Sequence, residues 1–304
     1  MKEQTVALLK NVEENIYEKI EEALKLCKAE KIIDLKNKIV IKPNYVIVEK
    51  EPYIHVTDPR IIIALIQWLK NRGVKNICIA EGGWSIETAE NAFKETGLIE
   101  VSKKYNIKLI NLNKDKFITI KIPNLYNLKE VNIAKTILES DCIINVSKLK
   151  IHHIAGVTLC VKNLMGCIWP KNIIHENIQE KLADLATLIK TKINIIDGII
   201  GSEEDEIYGN PIKMDILIAG LNIVATDSVG CLSMGINPEK VGYLKLLEKK
   251  GLGIAKKEAI KILGENINRI FKNFKLPEKF MNWYLNGGIK NEMQSMWKRR
   301  NSSI

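Results

Sequence analysis

The chain has 304 residues, 46% of them apolar, enough to bury a real core in one large α/β domain or two smaller ones. Forty-six Lys and Arg against 36 Asp and Glu leave a net charge of +10, which favours anionic partners. No apolar stretch is long enough for a signal peptide or a membrane span, so a soluble, cytoplasmic protein is expected. The six cysteines (Cys27, Cys78, Cys142, Cys160, Cys167 and Cys231) form no Cys-x-x-Cys pair, which excludes a zinc knuckle or a ferredoxin-type cluster motif.

In chain order, an amphipathic pattern over 5–29 predicts a first helix and Lys38 to Ile41 a first strand. Residues 59–71 follow Asp58, a capping side chain, and start with Pro59 at the first helical position, so a helix is expected there, ending at Gly73. Asn76 to Ala80 reads as a strand, 87–104 as a helix, Ile107 to Ile110 as a strand and 131–138 as a helix. Cys142 to Val146 is the next strand, followed by helices over 156–165 and 176–190. Strands at Ile193 to Ile196 and Ile216 to Ala219 and helices over 225–234 and 239–250 complete the body. Strands alternating with helices predict an α/β fold: a layered, mainly parallel sheet with helices on both faces.

From about residue 266 the alternation stops, and Phe271, Phe274, Phe280, Trp283, Tyr284, Met293, Met296 and Trp297 are interleaved with basic residues. The division expected is therefore an α/β body over 1–265 and a basic, aromatic-containing helical tail over 266–304. Between 256 and 304 there are eleven Lys or Arg against four Glu, so most of the net charge belongs to this end. Aromatics folded onto the body with charges in water is the plain expectation; docking of an acidic partner or anionic lipid is the functional one. Nucleic acid is not expected, because no recognised binding motif accompanies the charge.

In parallel sheets, sites gather outside the carboxyl ends of strands. Here those exits carry Lys42-Pro43-Asn44, Glu81-Gly82-Gly83-Trp84-Ser85, Ser147-Lys148-Leu149-Lys150 and Asp197-Gly198. Lys42 offers a point charge and Asn44 a directional donor, held by Pro43. Glu81, Gly82 and Gly83 make a turn whose exposed amides can approach an anion closely. No Gly-x-Gly-x-x-Gly follows a strand and no P-loop motif occurs, so nicotinamide and P-loop nucleotide chemistry lose their usual support.

The densest polar stretch is Lys148, Lys150, His152 and His153. If extended, it puts Lys148, Lys150 and His152 on one face, able to bind a carboxylate or phosphate and to supply an imidazole for proton transfer. A solvated sheet edge would account for the same residues. His153 shares the other face with Leu149 and Ile151, as a core histidine would.

On the expected helix over 156–165, Thr158, Lys162 and Met165 lie near one line, with Asn163 one residue off it. A lysine among so many apolar residues must lose its charge, meet an anion or pair with a carboxylate such as Asp141 or Glu81, which makes Lys162 the leading functional lysine. The catalytic candidates are thus Lys150, His152 and Lys162, and the ligand-binding ones Lys42, Asn44, Glu81, Gly82, Gly83, Lys148, Thr158 and Asn163. Asp197, Glu203, Glu204, Asp205, Glu206 and Asp227 could supply oxygen ligands to a divalent metal with His152 as a nitrogen ligand, and of these Asp197, Asp227 and His152 are the candidates for holding it. Isolated Cys160 and Cys167 and the lack of a nucleophile elbow disfavour covalent thiol or serine catalysis.

These residues fall in segments that together resemble one bacterial and archaeal family, domain of unknown function 362. The segments are Ile41-Lys42-Pro43-Asn44, Thr57-Asp58-Pro59, Glu81-Gly82-Gly83, Asp141 to Lys150, Val157-Thr158, Lys162 to Gly166, Ile196-Asp197-Gly198 and Ala225-Thr226-Asp227. The resemblance covers roughly residues 38–250. Many members of that family carry a ferredoxin-like iron–sulfur domain, and its motif is missing here, so any cluster or electron would come from a ferredoxin-type partner. The strand-end residues point to an enzyme or cofactor-handling protein for a small anionic ligand, the basic tail offers the alternative of an accessory protein docking an acidic redox partner, and the resemblance implies redox or cofactor-maturation chemistry in preference to hydrolysis. Residues 57–97 are also loosely similar to the lactate-racemase type, which would imply a proton or hydride shuttle on a hydroxy acid.

Overall fold

The computed structural model describes residues 4–121 and 126–277, and the first described element is a strand, β1 (Gln4–Lys10), where a helix was expected. Val6, Ala7, Leu8 and Leu9 are all buried, which a one-sided amphipathic helix cannot achieve but an interior strand does. Asn11, in the left-handed region with φ 55°, breaks the run, and only then does helix α1 (Ile16–Leu26) turn Ile20, Ala23 and Leu24 to the core.

Strand β2 (Ile39–Lys42) leads through a long loop to α2 (Pro59–Asn71), which has the expected limits. Asp58 Oδ1 accepts from Arg60 N at 2.9 Å, and Pro59 occupies the first turn, where its missing N–H is harmless. Strand β3 (Ile77–Glu81) follows. The helix expected over 87–104 is two helices, α3 (Ile86–Glu95) and α4 (Leu98–Tyr105), because Gly97 takes φ +71° and turns the chain between them.

After β4 (Lys108–Asn111) a small hairpin forms from β5 (Phe117–Lys121) and β6 (Glu130–Ala134), so only the one-turn α5 (Lys135–Leu138) remains of the helix expected over 131–138. Strand β7 (Cys142–His152) runs eleven residues and pairs back with β8 (Gly156–Thr158) before the short α6 (Cys160–Asn163). The expected helix over 156–165 is therefore a strand, a helical turn and a 3-10 turn.

Helix α7 (Ile178–Leu188), long strands β9 (Ile193–Glu203) and β10 (Asn210–Gly220), and helices α8 (Ile223–Ser233) and α9 (Gly242–Lys249) follow. The body expected over 1–265 closes on a strand that was not expected. β11 (Ile260–Gly264) adds a further strand, the one-turn α10 (Ile267–Ile270) buries Ile267 and Ile270, and Phe274 is buried in the extended segment beyond. The aromatic positions Phe280, Trp283, Tyr284, Met293, Met296 and Trp297 lie outside the described residues.

The nine-stranded sheet has the order β11-β1-β10-β9-β7-β2-β3-β4, with β8 paired to β7. Five neighbouring pairs are parallel, whereas β10 runs antiparallel to both β1 and β9, and β8 antiparallel to β7. Helices cover both faces: α1 to α4 pack on one apolar layer and α6 to α9 on the other. This is the layered, mostly parallel α/β architecture expected.

One mismatch in strand length positions the site. β2 ends at Lys42, paired with Asn145, whereas β7 continues for seven more residues and β9 accompanies it as far as Ser202. Above the carboxyl ends of β2 and β3 the longer strands thus stand up as a wall.

Candidate functional site

Lys42 ends β2 on the face it shares with Val40, and its side chain is fully buried. An ammonium in that position needs partners. Its Nζ donates to Glu81 Oε2 at 2.8 Å, Asn163 Oδ1 at 3.1 Å and Pro43 O at 3.1 Å. The second carboxylate oxygen of Glu81 accepts from the amides of Gly82 and Gly83, both at 2.8 Å. The glycine turn expected to cradle an outside anion therefore cradles its own glutamate. Gly166 closes this knot: a Cβ there would lie 2.6 Å from Glu81 Oε1 and 2.7 Å from Lys42 Nζ.

Asn163 ties the knot to the wall. Its Oδ1 also accepts from Asn44 Nδ2 at 2.9 Å, while its Nδ2 donates to Asn145 Oδ1 at 2.8 Å and Pro43 O at 3.1 Å. Asn44 Oδ1 is left buried without a hydrogen-bond partner.

On the wall, alternation along β7 puts Lys148, Lys150 and His152 on one face, as expected, but β7 is interior to the sheet and all three are buried. The solvated edge is thus excluded. Lys148 Nζ pairs with Asp197 Oδ2 at 2.9 Å, and Asp197 accepts in addition from Asp58 N and Ile199 N. Lys150 Nζ donates to two carbonyls, His55 O at 2.7 Å and Glu206 O at 3.0 Å; burial pushes its pKa down to about 7. His55 clamps the loop that covers it: Nδ1 lies 2.8 Å from Glu49 Oε1 and Nε2 3.1 Å from Gly209 O.

His152 Nδ1 accepts from the backbone amides of Ile154 at 3.1 Å and Ala155 at 3.2 Å. The proton of its neutral ring therefore resides on Nε2, and burial keeps the ring neutral by driving its pKa well below the ordinary value. Nε2 points toward Glu206 Oε1 at 3.9 Å, and the same oxygen lies 2.6 Å from Nδ1 of His153, whose ring stacks on that of His152. Burial alone would raise the Glu206 carboxyl, but the two histidines outweigh it and hold the group far below the usual carboxylate range.

His152, His153 and Glu206 are close enough together to surround a cation. With the His152 proton committed to Nε2, however, that ring is a hydrogen-bond donor toward the cluster, not a ligand. The other two metal candidates are also occupied. Asp197 serves Lys148 and two amides, and Asp227 accepts from Cys160 N at 2.7 Å and Val161 N at 2.9 Å. Asp227 thus clamps the N-terminus of α6, and burial raises its pKa to about 7.

Lys162 comes from that clamped turn. Neither Asp141 nor Glu81 pairs with it, and its Nζ makes no hydrogen bond or ion pair among the described residues. The side chain is half-buried, and burial lowers its pKa to about 8. Its field reaches Lys150, His152 and His175, whose imidazole is pushed down to about 4 chiefly by burial. Thr158 sits in β8 opposite Lys150 rather than a helical turn from Lys162, and its buried hydroxyl has no partner. Lys171 adds a further cation near Gly82, bonded to Asn113 Oδ1 and lowered to about 8 by burial.

All the candidates thus lie at the carboxyl end of the sheet, in two groups: the knot of Lys42, Glu81, Gly82, Gly83, Asn44 and Asn163, and the wall of Lys148, Lys150, His152, Thr158 and Asp197. Lys162 lies between them, and Asp227 stands behind it. His55 and Lys171 had no signal beyond being polar residues in ordinary surroundings, Asn145 had only its place in the Asp141 to Lys150 segment, and Glu206 was one of four consecutive acidic residues able to offer metal ligands.

The sequence model of the family described as domain of unknown function (DUF362) matches residues 39–232, which span both groups. The chain belongs to the DUF362 family. This DUF362 protein is 22% identical over 255 residues to the thylakoid-associated protein sll1697 of Synechocystis sp. (strain ATCC 27184 / PCC 6803 / Kazusa), covering 81% of this chain and 78% of that one. Among solved structures it is similar to the lactate racemase apoprotein from Thermoanaerobacterium thermosaccharolyticum, with 12% identity and a TM-score of 0.43. The match covers 76% of this chain and 57% of the racemase chain. No helix among the described residues is long and apolar enough to cross a membrane.

Proposed function

We propose that this DUF362 protein is an enzyme or cofactor-handling protein that takes a small anion at the carboxyl end of its sheet, with Lys162 as the group that meets it. The observation that carries the reading is a surplus of lysines, one buried and two half-buried, without carboxylate partners. Lys42 and Lys148 each have a carboxylate partner, but Lys150, Lys162 and Lys171 have none within ion-pair distance among the described residues. Charge buried without a counter-ion is unfavourable, and a bound anion relieves it. The orphaned buried hydroxyl of Thr158, opposite Lys150 in the sheet, adds an unused donor beside one of these cations.

Chemistry beyond binding is supported by titratable groups whose environments drive them apart: an ionised Glu206, a neutral His152 donating from Nε2, and an amine at Lys162 that titrates near neutrality. Such a set can polarise an oxygen of the ligand and move a proton.

Calorimetric titration with oxalate and with inorganic phosphate tests the reading, on the native protein and on Lys162→Met. Binding weakened about ten-fold or more in a variant with an unchanged melting curve supports it. Equal binding by both proteins, or no binding of either anion to the native one, overturns it.

A further inference from the structure

We propose that the Lys162 amine captures the carbonyl carbon of a small oxo acid as an imine. The inference rests on the anion-site reading and gives it a ligand class: a carboxylate to answer the surplus charge and a neighbouring aldehyde or ketone carbon for the amine.

Five lysines crowd this end of the sheet, and four are already committed. Lys42 is bound to Glu81 and Lys148 to Asp197, Lys150 holds two carbonyls, and Lys171 holds Asn113. Lys162 Nζ alone of the five makes no hydrogen bond or ion pair among the described residues, and its half-buried side chain remains within reach of a small molecule. Its backbone is fixed on both sides: Asp227 clamps the amides of Cys160 and Val161, and the next residue, Asn163, is held by Lys42, Asn44, Asn145 and Pro43. A rigidly mounted amine with no partner is placed to attack, not to brace the fold.

The other half of the reaction also has residues to serve it. The lone pair of neutral Lys162 forms the N–C bond as the carbonyl π electrons move to oxygen. The resulting alkoxide takes up two protons, matching the two that the nitrogen gives up, and leaves as water when the nitrogen lone pair forms the C=N bond, so no oxidant or reductant is required. The candidate donor for that oxygen is Nε2–H of His152, whose ring is fixed by the two amides on Nδ1 and lies within the field of Lys162. A free amine is available near neutrality because burial lowers Lys162 to about 8, whereas an exposed lysine is almost wholly protonated there.

The test is reductive trapping on the native protein with substoichiometric glyoxylate and cyanoborohydride, followed by peptide mapping. Lys162 is expected to become carboxymethylated about ten-fold faster than well-exposed lysines. Lys50 and Lys121, whose side chains are 79% and 78% exposed, serve as internal references. The labelling rate should rise through pH about 8, and oxalate should protect. Labelling of Lys162 no faster than Lys50 and Lys121 overturns the imine. If oxalate still binds in that case, the anion site stands and only the covalent step falls; if oxalate does not bind either, both fall.

Discussion

Glu81 accepts from Lys42 Nζ with one carboxylate oxygen, at 2.8 Å, and from its own following amides with the other, so a single buried side chain joins the ends of two parallel strands to the turn that leaves the second. Removing one partner of a buried pair leaves the other charge uncompensated.

Glu81→Ala is therefore expected to lower unfolding stability by about 3–5 kcal/mol in urea denaturation. Gly166→Ala, whose new methyl would press on both charged groups, should cost about 1–3 kcal/mol alone and distinctly less in the Glu81→Ala background. Strict additivity of the two changes would show that Gly166 is required for another reason.

Asp227→Ala leaves the amides of Cys160 and Val161 without their acceptor and should destabilise the protein by about 2 kcal/mol. Because the same turn mounts Lys162, the affinity for oxalate should fall as well, although Asp227 is not a ligand-contacting group in this reading. Stability lost with affinity intact would separate the clamp from the site.

The buried lysines give the protein an unusual pH profile. Lys150 titrates near 7 and Lys162 and Lys171 near 8 when folded, whereas an unfolded lysine keeps its proton to about 10.4. From about pH 7 upward the unfolded chain thus binds more protons, and folding stability must rise with pH. Above about pH 8.5 the cysteines of the unfolded chain ionise. Folded Cys27, Cys78 and Cys142 hold their protons to about 11 and Cys167 to about 12, because each is buried, which reverses the trend. The melting midpoint is expected to climb from pH 7 to a maximum near about 8.5, with a smaller climb in Lys150→Met. A midpoint that falls over that interval would contradict the assignment.

His55→Ala should free the loop over 43–58 from its dock on Gly209 and release the carbonyl that Lys150 holds. Two hydrogen bonds at about 1 kcal/mol each correspond to roughly ten-fold or greater acceleration of amide exchange in that loop. Exchange in β2 and β3 should not change; acceleration throughout the sheet would mean that the clamp supports the whole fold.

Local chemistry made some elements readable and hid others. Asp58 and Pro59 announce α2 because both act within one helical turn. The strands β7, β9 and β10 were legible only in their apolar stretches, since the extensions of β7 and β9 carry Lys148, Lys150, His152 and Asp197, polar residues that can lie in an interior strand only because Lys148 meets Asp197 across the sheet, Lys150 two loop carbonyls and His152 the amides of its own turn. Such pairings span some 50 to 95 residues of sequence and leave no local pattern. β1 was lost for the opposite reason: its apolar run abuts an amphipathic helix, and Asn11 alone marks the break. In the site, the residue types were evident but not their partners. Glu81 and the glycines beside it read as a cradle for something external, and only the geometry shows that the carboxylate occupies the cradle itself.

The place of β1 in the sheet has a consequence for synthesis on the ribosome. Its two neighbours are β10 and β11, so this strand has no sheet partner until residues 210–220 have been made, and its other flank stays open until Gly264. By then β2, β3, β4 and β7 have all emerged and can assemble in parallel. The nascent chain must carry an unpaired apolar strand through most of its own translation, an exposure that burdens slow translation or a stalled chain more than it burdens the finished protein.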